Sequence, residues 1–253
     1  MKEIESIKNE RIKNYKKLEK KKYRDSEGIY LLEGEHLVEE AINYEAQIEA
    51  LLIAKDNLLE FSNLTDKIDS KKIIVVTKEV IKYLSTLPSP QPIIAVVCKD
   101  NQRARETATK HCLLLDNVQD PGNVGTMIRT ADAAGFSSVI LGEGTADVYS
   151  PKVVRSMQGS QFHIQIQEMN VVEKMKELQS EGYTVYGTEL NESAIAYQQI
   201  EKSDKIAIVM GNEGQGISKE VLNETDCNVY ITMRGKAESL NVAVAAGIMM
   251  FFV

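Results

Sequence analysis

The sequence predicts an α/β protein in two parts, a small N-terminal α/β unit followed by a larger domain on a mostly parallel sheet. Two observations carry this. Short apolar runs rich in Ile, Val and Leu alternate with helix-period patterns along most of the 253 residues. One polar, charged stretch without strand alternation, KDNQRARETATK at 99–110, interrupts that rhythm and reads as a linker. The division is therefore 1–98, a linker at 99–110, and 111–253.

In the first part the strand candidates are IYLLEG, IEALLIA, KIIVVT and IIAVVC, with helical patterns at 35–44 and 78–86. The breaker cluster LPSPQP, 87–92, introduces the last of those strands. In the second part strands are predicted near 111–115, 138–141, 163–166, 183–187, 206–210 and 229–231. Helical patterns separate them at 123–134, 151–158, 170–180, 217–223 and 239–253. Strands and helices alternating at this spacing imply parallel strands covered by helices on both faces.

Composition excludes several classes. A hydrophobic content of 43% with 26% charged residues is ordinary for a globular chain. No run approaches the roughly 18 apolar residues of a membrane span, and no early segment resembles a signal peptide, so a cytoplasmic protein without a membrane partner is expected. Cys98, Cys112 and Cys227 are odd in number and far apart, and His36, His111 and His163 lack ligand spacing. Neither a disulfide framework nor a metal is expected.

The net charge of −7 conceals an asymmetry: residues 1–24 hold ten Lys/Arg against four Asp/Glu, and the remainder 20 against 33. A basic segment on an acidic protein binds phosphate locally, or is simply a solvated lysine-rich helix.

Three loops then share one pattern. The first, DNVQDPGNVGTMIRTADAAGF at 116–136, follows the apolar run HCLLL. Val124, Met127, Ile128, Ala131 and Ala134 keep helical spacing, Asn123 is the expected N-cap and Gly135 the stop. Arg129 lies off the apolar stripe, either solvated or aimed at an anion near the helix N-terminus. The second, VMGNEGQGIS at 209–218, follows KIAIV and offers Gly211, Gly214 and Gly216 for close approach or positive φ, beside Asn212 and Glu213. In the third, ITMRGKAESLNVAVAAGIMMFF at 231–252, Glu238 and Ser239 are placed to start a helix. Three such loops, each after a strand, imply one shared pocket at the carboxyl edge of the sheet. A Walker-type phosphate loop is missing, and GNVG is a poor match to the dinucleotide fingerprint, which disfavours a nicotinamide dehydrogenase.

NVQDPGNVGTMIRTA, VMGNEGQG and ITMRGKAESLNVAVAAGI, in that order, resemble the three signature motifs of the SpoU (TrmH) family of RNA ribose 2′-O-methyltransferases, and SPKVVRSMQGS at 150–160 is similar to a fourth family segment. The resemblance covers about residues 111–253. In front of it, LLEGEHLVEEAI looks like the ribosomal-protein-like RNA-binding domain of rRNA-directed members.

The resemblance implies a SPOUT-type fold, a parallel α/β domain whose C-terminal segment forms a trefoil knot, although the general rule for connections argues against knots. It further implies a homodimer and S-adenosylmethionine as cofactor, held by Thr188, Gly211, Ile231, Met233 and Leu240. The polar catalytic set is Asn123, Arg129, Glu213, Ser239 and Asn241. Thr232 stands where the family has proline, which loosens the loop without removing a reacting group. RNA contacts are expected from Lys13, Lys16, Lys17, Lys20, Lys21, Lys22, Arg24 and Arg155.

The implied reaction is methylation of a ribose 2′-hydroxyl, in 23S ribosomal RNA by preference. A guanidinium with a pKa above about 12 is a poor base, so Arg129 is read as a clamp on phosphate and ribose. Asn123 and Asn241 are expected to hold the hydroxyl and the arginine, and Glu213 to orient Arg129 through a charge-assisted hydrogen bond. The alternatives are a tRNA 2′-O-methyltransferase and a non-catalytic RNA or ribosome-assembly factor on the same scaffold.

Overall fold

The strand runs form two separate sheets. The computed structural model describes residues 1–99 and 109–253, so most of the expected linker, 100–108, lies outside the described residues. Contacts divide the chain into one unit of Met1–Gln102 with Tyr149–Phe162 and another of Arg103–Val148 with His163–Val253.

In the first unit β1 (Lys2–Ile4), α1 (Glu10–Lys17), α2 (Lys21–Glu27), β2 (Ile29–Glu33) and α3 (Glu35–Asn43) come first. β3 (Ile48–Ala54), α4 (Ser62–Thr65), β4 (Ile73–Val76), α5 (Lys78–Leu84) and β5 (Ile93–Cys98) complete it. The sheet has the order β1-β4-β3-β5-β2 and is mixed: β4 runs parallel to β1 and β3, and β5 antiparallel to β2 and β3. Of these elements, β1 and α4 have no counterpart in the sequence reading, because three or four residues are too short to show a period.

Helix α1 begins where the Asn9 side chain accepts from the Arg11 amide at 2.9 Å, and it buries Ile12 and Tyr15 against a core that includes Leu52, Ile74 and Ile81. Helix α2 ends at Gly28, whose φ of 66° suits a residue without a side chain.

The second unit follows as β6 (Cys112–Leu115), α6 (Pro121–Ala133) and β7 (Ser138–Leu141). Next along the chain, α7 (Pro151–Met157) packs with the first unit. Then come β8 (Gln165–Glu168), α8 (Val171–Ser180), β9 (Thr184–Thr188), β10 (Ile195–Ala196), β11 (Ile206–Met210), α9 (Lys219–Leu222), β12 (Cys227–Tyr230) and α10 (Val242–Met250). Its seven strands are all parallel, in the order β10-β12-β9-β11-β6-β7-β8. The central strands β6 and β11 are buried at every residue, which explains why CLLL and IAIVM read as continuous apolar runs.

Three sequence expectations are corrected here. The N-cap of α6 is Asp120, whose side chain accepts from the Asn123 amide at 2.9 Å. Pro121 has a fixed φ and no N–H, so it takes the first helical position and moves the cap ahead of itself. At α10 the cap is Asn241, accepting from the amides of Ala243 and Val244, so Ser239 lies before the helix. Helix α7, grouped with the second part by alternation, buries Val153, Val154 and Met157 in the first unit beside β2. There Tyr149 stacks on Tyr30 at 4.8 Å and donates to the Lys99 carbonyl at 3.0 Å.

His111 is a structural residue. It is buried, its Nδ1 accepts from the Ile206 amide at 3.2 Å, and burial holds its pKa below the ordinary histidine value. The ring is therefore neutral with its proton on Nε2. Among the described residues no group of side chains could hold a metal ion, and no helix is long and apolar enough to cross a membrane.

Candidate active site

Strand order places the three loops. From β6 the chain steps outward to β7 and β8, then returns across to β9, leaving β11 against β6. Leu115 pairs with Met210 and the Asp116 amide donates to the Met210 carbonyl at 2.8 Å, so the first and second loops leave the sheet side by side. This is the point where strand order reverses, and ligands of open parallel sheets bind outside the carboxyl ends there.

A relay of hydrogen bonds laces the loops together. Asn241 Nδ2, from the third loop, donates to Asn123 Oδ1 at 2.9 Å, and Asn123 Nδ2 donates to Glu213 Oε1 in the second loop at 3.0 Å. The same carboxylate accepts from the backbone amides of Asp120 at 3.0 Å and Gln119 at 3.1 Å. Beside it, Asn212 Nδ2 donates to the Asn117 carbonyl at 2.9 Å, and the Ser218 amide to Asp116 Oδ2 at 2.7 Å. Burial alone pushes the Glu213 carboxyl up, but the amide donors outweigh it and hold its pKa below the ordinary glutamate value. Glu213 is thus ionised at neutral pH, with its oxygens committed to the first loop.

The second and third loops, with the end of β9, line an open cleft of about 520 Å³, within the range of small-molecule sites. Thr188, Gly211, Ile231, Met233 and Leu240 all line it, as do Glu213 and Ser239. At Gly211 a Cβ would stand 2.3 Å from the Gly216 carbonyl carbon and from the Ile217 nitrogen, so glycine is required where the second loop folds back on itself. Gly216 has a positive φ of 71°, and its amide and carbonyl bond those of Asn212 at 2.9 Å. A cleft of this size, with Gly211 and Gly216 in its lining, has room for S-adenosylmethionine. The Thr188 hydroxyl donates to the Val209 carbonyl at 2.8 Å, so that side chain braces the wall.

Arg129 stands apart from the relay. It is exposed on α6, does not line the cleft, and makes no hydrogen bond or ion pair among the described residues. The expected Glu213–Arg129 pair is absent, because the first loop's amides and Asn123 occupy the carboxylate. Asn123 and Asn241 likewise tie loops together. Sequence reasoning missed Asp120 as the cap and Glu189 as a cleft residue; the Asp-Pro pair was the available signal for the first.

The expected RNA contacts belong to the first unit. Lys17, Lys20, Lys21 and Lys22 are exposed around the α1–α2 turn. Lys13 pairs with Glu10 at 2.7 Å and Lys16 with Glu19, both half-buried. Arg24 is a correction: it is 3% exposed and its Nη1 donates to the Leu18 carbonyl at 2.6 Å, so it helps close the turn and is not part of the basic surface. Arg155 is exposed on α7 and shares the lining of a small cavity with Leu18 and Glu19, which brings it beside the lysine turn.

Comparison with known proteins agrees with this geometry. The SpoU rRNA Methylase family model matches residues 110–251, and the MRM3-like substrate binding domain matches residues 9–95. A Bacillus subtilis protein named 23S rRNA (guanosine(2553)-2′-O)-methyltransferase RlmP is 45% identical over 99% of this chain and 98% of its own. The crystal structure of an AdoMet-bound rRNA methyltransferase from Sinorhizobium meliloti superposes with a TM-score of 0.87 at 31% identity, covering 99% of this chain and 96% of that one. The AdoMet complex of the SpoU methyltransferase AviRb from Streptomyces viridochromogenes gives 0.84 at 25% identity, covering 96% of both chains. With its motif loops laced together at the strand ends, the chain belongs to the SpoU rRNA methylase family.

Proposed function

We propose that this protein methylates a ribose 2′-hydroxyl of 23S ribosomal RNA, with S-adenosylmethionine as the methyl donor. The observation that carries the reading is the relay from Asn241 through Asn123 to Glu213, which joins the three family motifs beside a cleft lined by the second and third. The bound donor supplies a methyl group already activated by its sulfonium. What remains for the chain is alignment and the handling of a weakly acidic hydroxyl proton.

Asn123, Glu213 and Asn241 hold the loops in register, Gly211, Ile231, Met233 and Leu240 wall the donor, and Ser239 stands at the cleft's lip. Arg129 clamps the ribose and its phosphate, lowering the cost of forming the alkoxide. Residues 1–98, completed by Tyr149–Phe162, form the RNA-binding part, and the rest of 111–253 the methyl-transferring part, which threads its C-terminal segment through a trefoil knot.

A homodimer completes the proposal. Helix α10 is apolar on every side, yet Val244 is 52% and Phe251 66% exposed, one turn to either side of Gly247 and Ile248. A second copy of the chain covers that stripe. The protein works in the cytoplasm, where its substrate is assembled.

The test is to map 2′-O-methylation by alkaline hydrolysis in ribosomal RNA from cells with and without the protein. One cleavage gap in 23S RNA should vanish with the protein and return when purified protein and donor are added. An unchanged ladder, or a gap lost in tRNA instead, overturns the proposal.

For the basic turn, replacing Lys17, Lys20, Lys21 and Lys22 by Glu should weaken RNA binding. It should also flatten the slope of log K against log salt by about 0.7 to 0.9 for each phosphate that is no longer neutralised. Reversal at the already paired Lys13 should do much less. A slope equal to that of the unaltered protein in both variants returns the segment to a solvated helix.

A further inference from the structure

Of the acidic side chains at the cleft, Glu189 has a position that the loop relay does not explain. It follows β9 directly, and its amide donates to the Val229 carbonyl at 3.1 Å, which ties it to the neighbouring strand β12. Its side chain is half-buried and lines the cleft. Oε2 lies 3.3 Å from the point where a Cβ on Gly216 would stand, so the carboxylate extends from the β9 wall over the bare backbone of the second loop. It accepts no hydrogen bond and joins no ion pair among the described residues.

The contrast with its neighbours is informative. The preceding Thr188 spends its hydroxyl on the Val209 carbonyl, and Glu213 is saturated by three donors. Glu238, in the third loop, is exposed to water. Glu189 alone of these combines partial burial, a fixed backbone and unused acceptor oxygens, so its carboxylate is free to meet donors on a ligand.

We propose that Glu189 binds the vicinal ribose hydroxyls of the adenosyl donor. This rests on the reading of the cleft as the S-adenosylmethionine site. A carboxylate is an acceptor-only group with two oxygens, matched to two adjacent O–H donors. At the carboxyl end of a strand in an open parallel sheet, an acidic residue in this role recognises the ribose of a nucleotide. Gly216, with no side chain, leaves room for a sugar ring against the second loop. The donor's ammonium group is better served at the water-exposed side of the cleft, where Glu238 stands.

Calorimetry separates these assignments, using S-adenosylhomocysteine, 5′-methylthioadenosine, which keeps the diol but has no amino acid, and 2′-deoxy-5′-methylthioadenosine. Glu189→Ala should weaken the first two by the same factor, about 10- to 100-fold, the usual loss for hydrogen bonds to a charged group, with Glu189→Gln intermediate. The deoxy analogue should bind the unaltered protein poorly and lose little further on substitution. Unchanged melting temperatures establish that both variants fold, and the glutamine variant serves if the alanine variant does not. Undiminished affinity overturns the proposal, as does a loss confined to S-adenosylhomocysteine, which would place the carboxylate at the amino-acid end. Should the unaltered protein bind none of the three, the donor assignment itself fails.

Discussion

Gly211→Ala should both destabilise the second unit and remove donor binding. The added methyl would stand 2.3 Å from two backbone atoms of Gly216 and Ile217, and backbone cannot step aside as a flexible side chain can. Forcing extra volume into a packed region costs about 1–3 kcal/mol and sometimes more. For a chain of this size, 3 kcal/mol lowers the melting temperature by roughly 6–12 °C. Because the strained segment is itself a wall of the cleft, affinity for S-adenosylhomocysteine should fall at least about 100-fold, equivalent to some 2.7 kcal/mol.

Gly235→Ala is the control, since a Cβ there meets nothing within 4 Å and the residue does not have a positive φ. It should melt within about a degree of the unaltered protein. Scanning calorimetry and ligand titration check both; a Gly211→Ala protein with normal stability and affinity contradicts the close approach of Gly211 to its own loop.

Arg129→Ala should behave in the opposite way, losing methyl transfer while keeping its fold and its donor. Arg129 is exposed and without a hydrogen bond or ion pair among the described residues, so truncation should change stability by no more than about 0.5 kcal/mol. Since it does not line the cleft, S-adenosylhomocysteine should bind normally. Turnover should fall about 100- to 1000-fold, the usual effect of deleting one preorganised donor to developing negative charge. Lysine should restore little, because it cannot grip a phosphate with two parallel N–H groups. A labelled-methyl assay with undermethylated RNA reads the outcome, and full turnover by the alanine variant refutes the clamp.

Much of the fold was legible because apolar period and burial coincide. CLLL and IAIVM are continuous runs because they are central parallel strands, and the polar, glycine-rich loop after IAIVM lines a cleft. The meeting of three loops could also be anticipated, since parallel strands all deliver their carboxyl ends to one edge.

The partners within that edge were not legible. Glu213 was expected to bind Arg129, yet its donors are the Asn123 side chain and the backbone amides of residues 119 and 120, and no residue identity announces the amides. Glycine was equally ambiguous: Gly211 is needed for a close approach of its own chain, whereas Gly216 is needed for its positive φ. Arg24 read as one more cation in a basic run, and only the folded turn reveals that a carbonyl claims it.

The placement of α7 has a consequence for biosynthesis. Residues matched by the methylase model, Tyr149–Phe162, complete the N-terminal unit, where Val153 and Met157 are fully buried. A nascent chain released from the ribosome only as far as residue 99 therefore carries an unfinished first unit with an open apolar seam. Its folding must wait for a segment encoded some fifty residues later, so expressing either half as an independent fragment should yield a sticky, aggregation-prone product instead of a module.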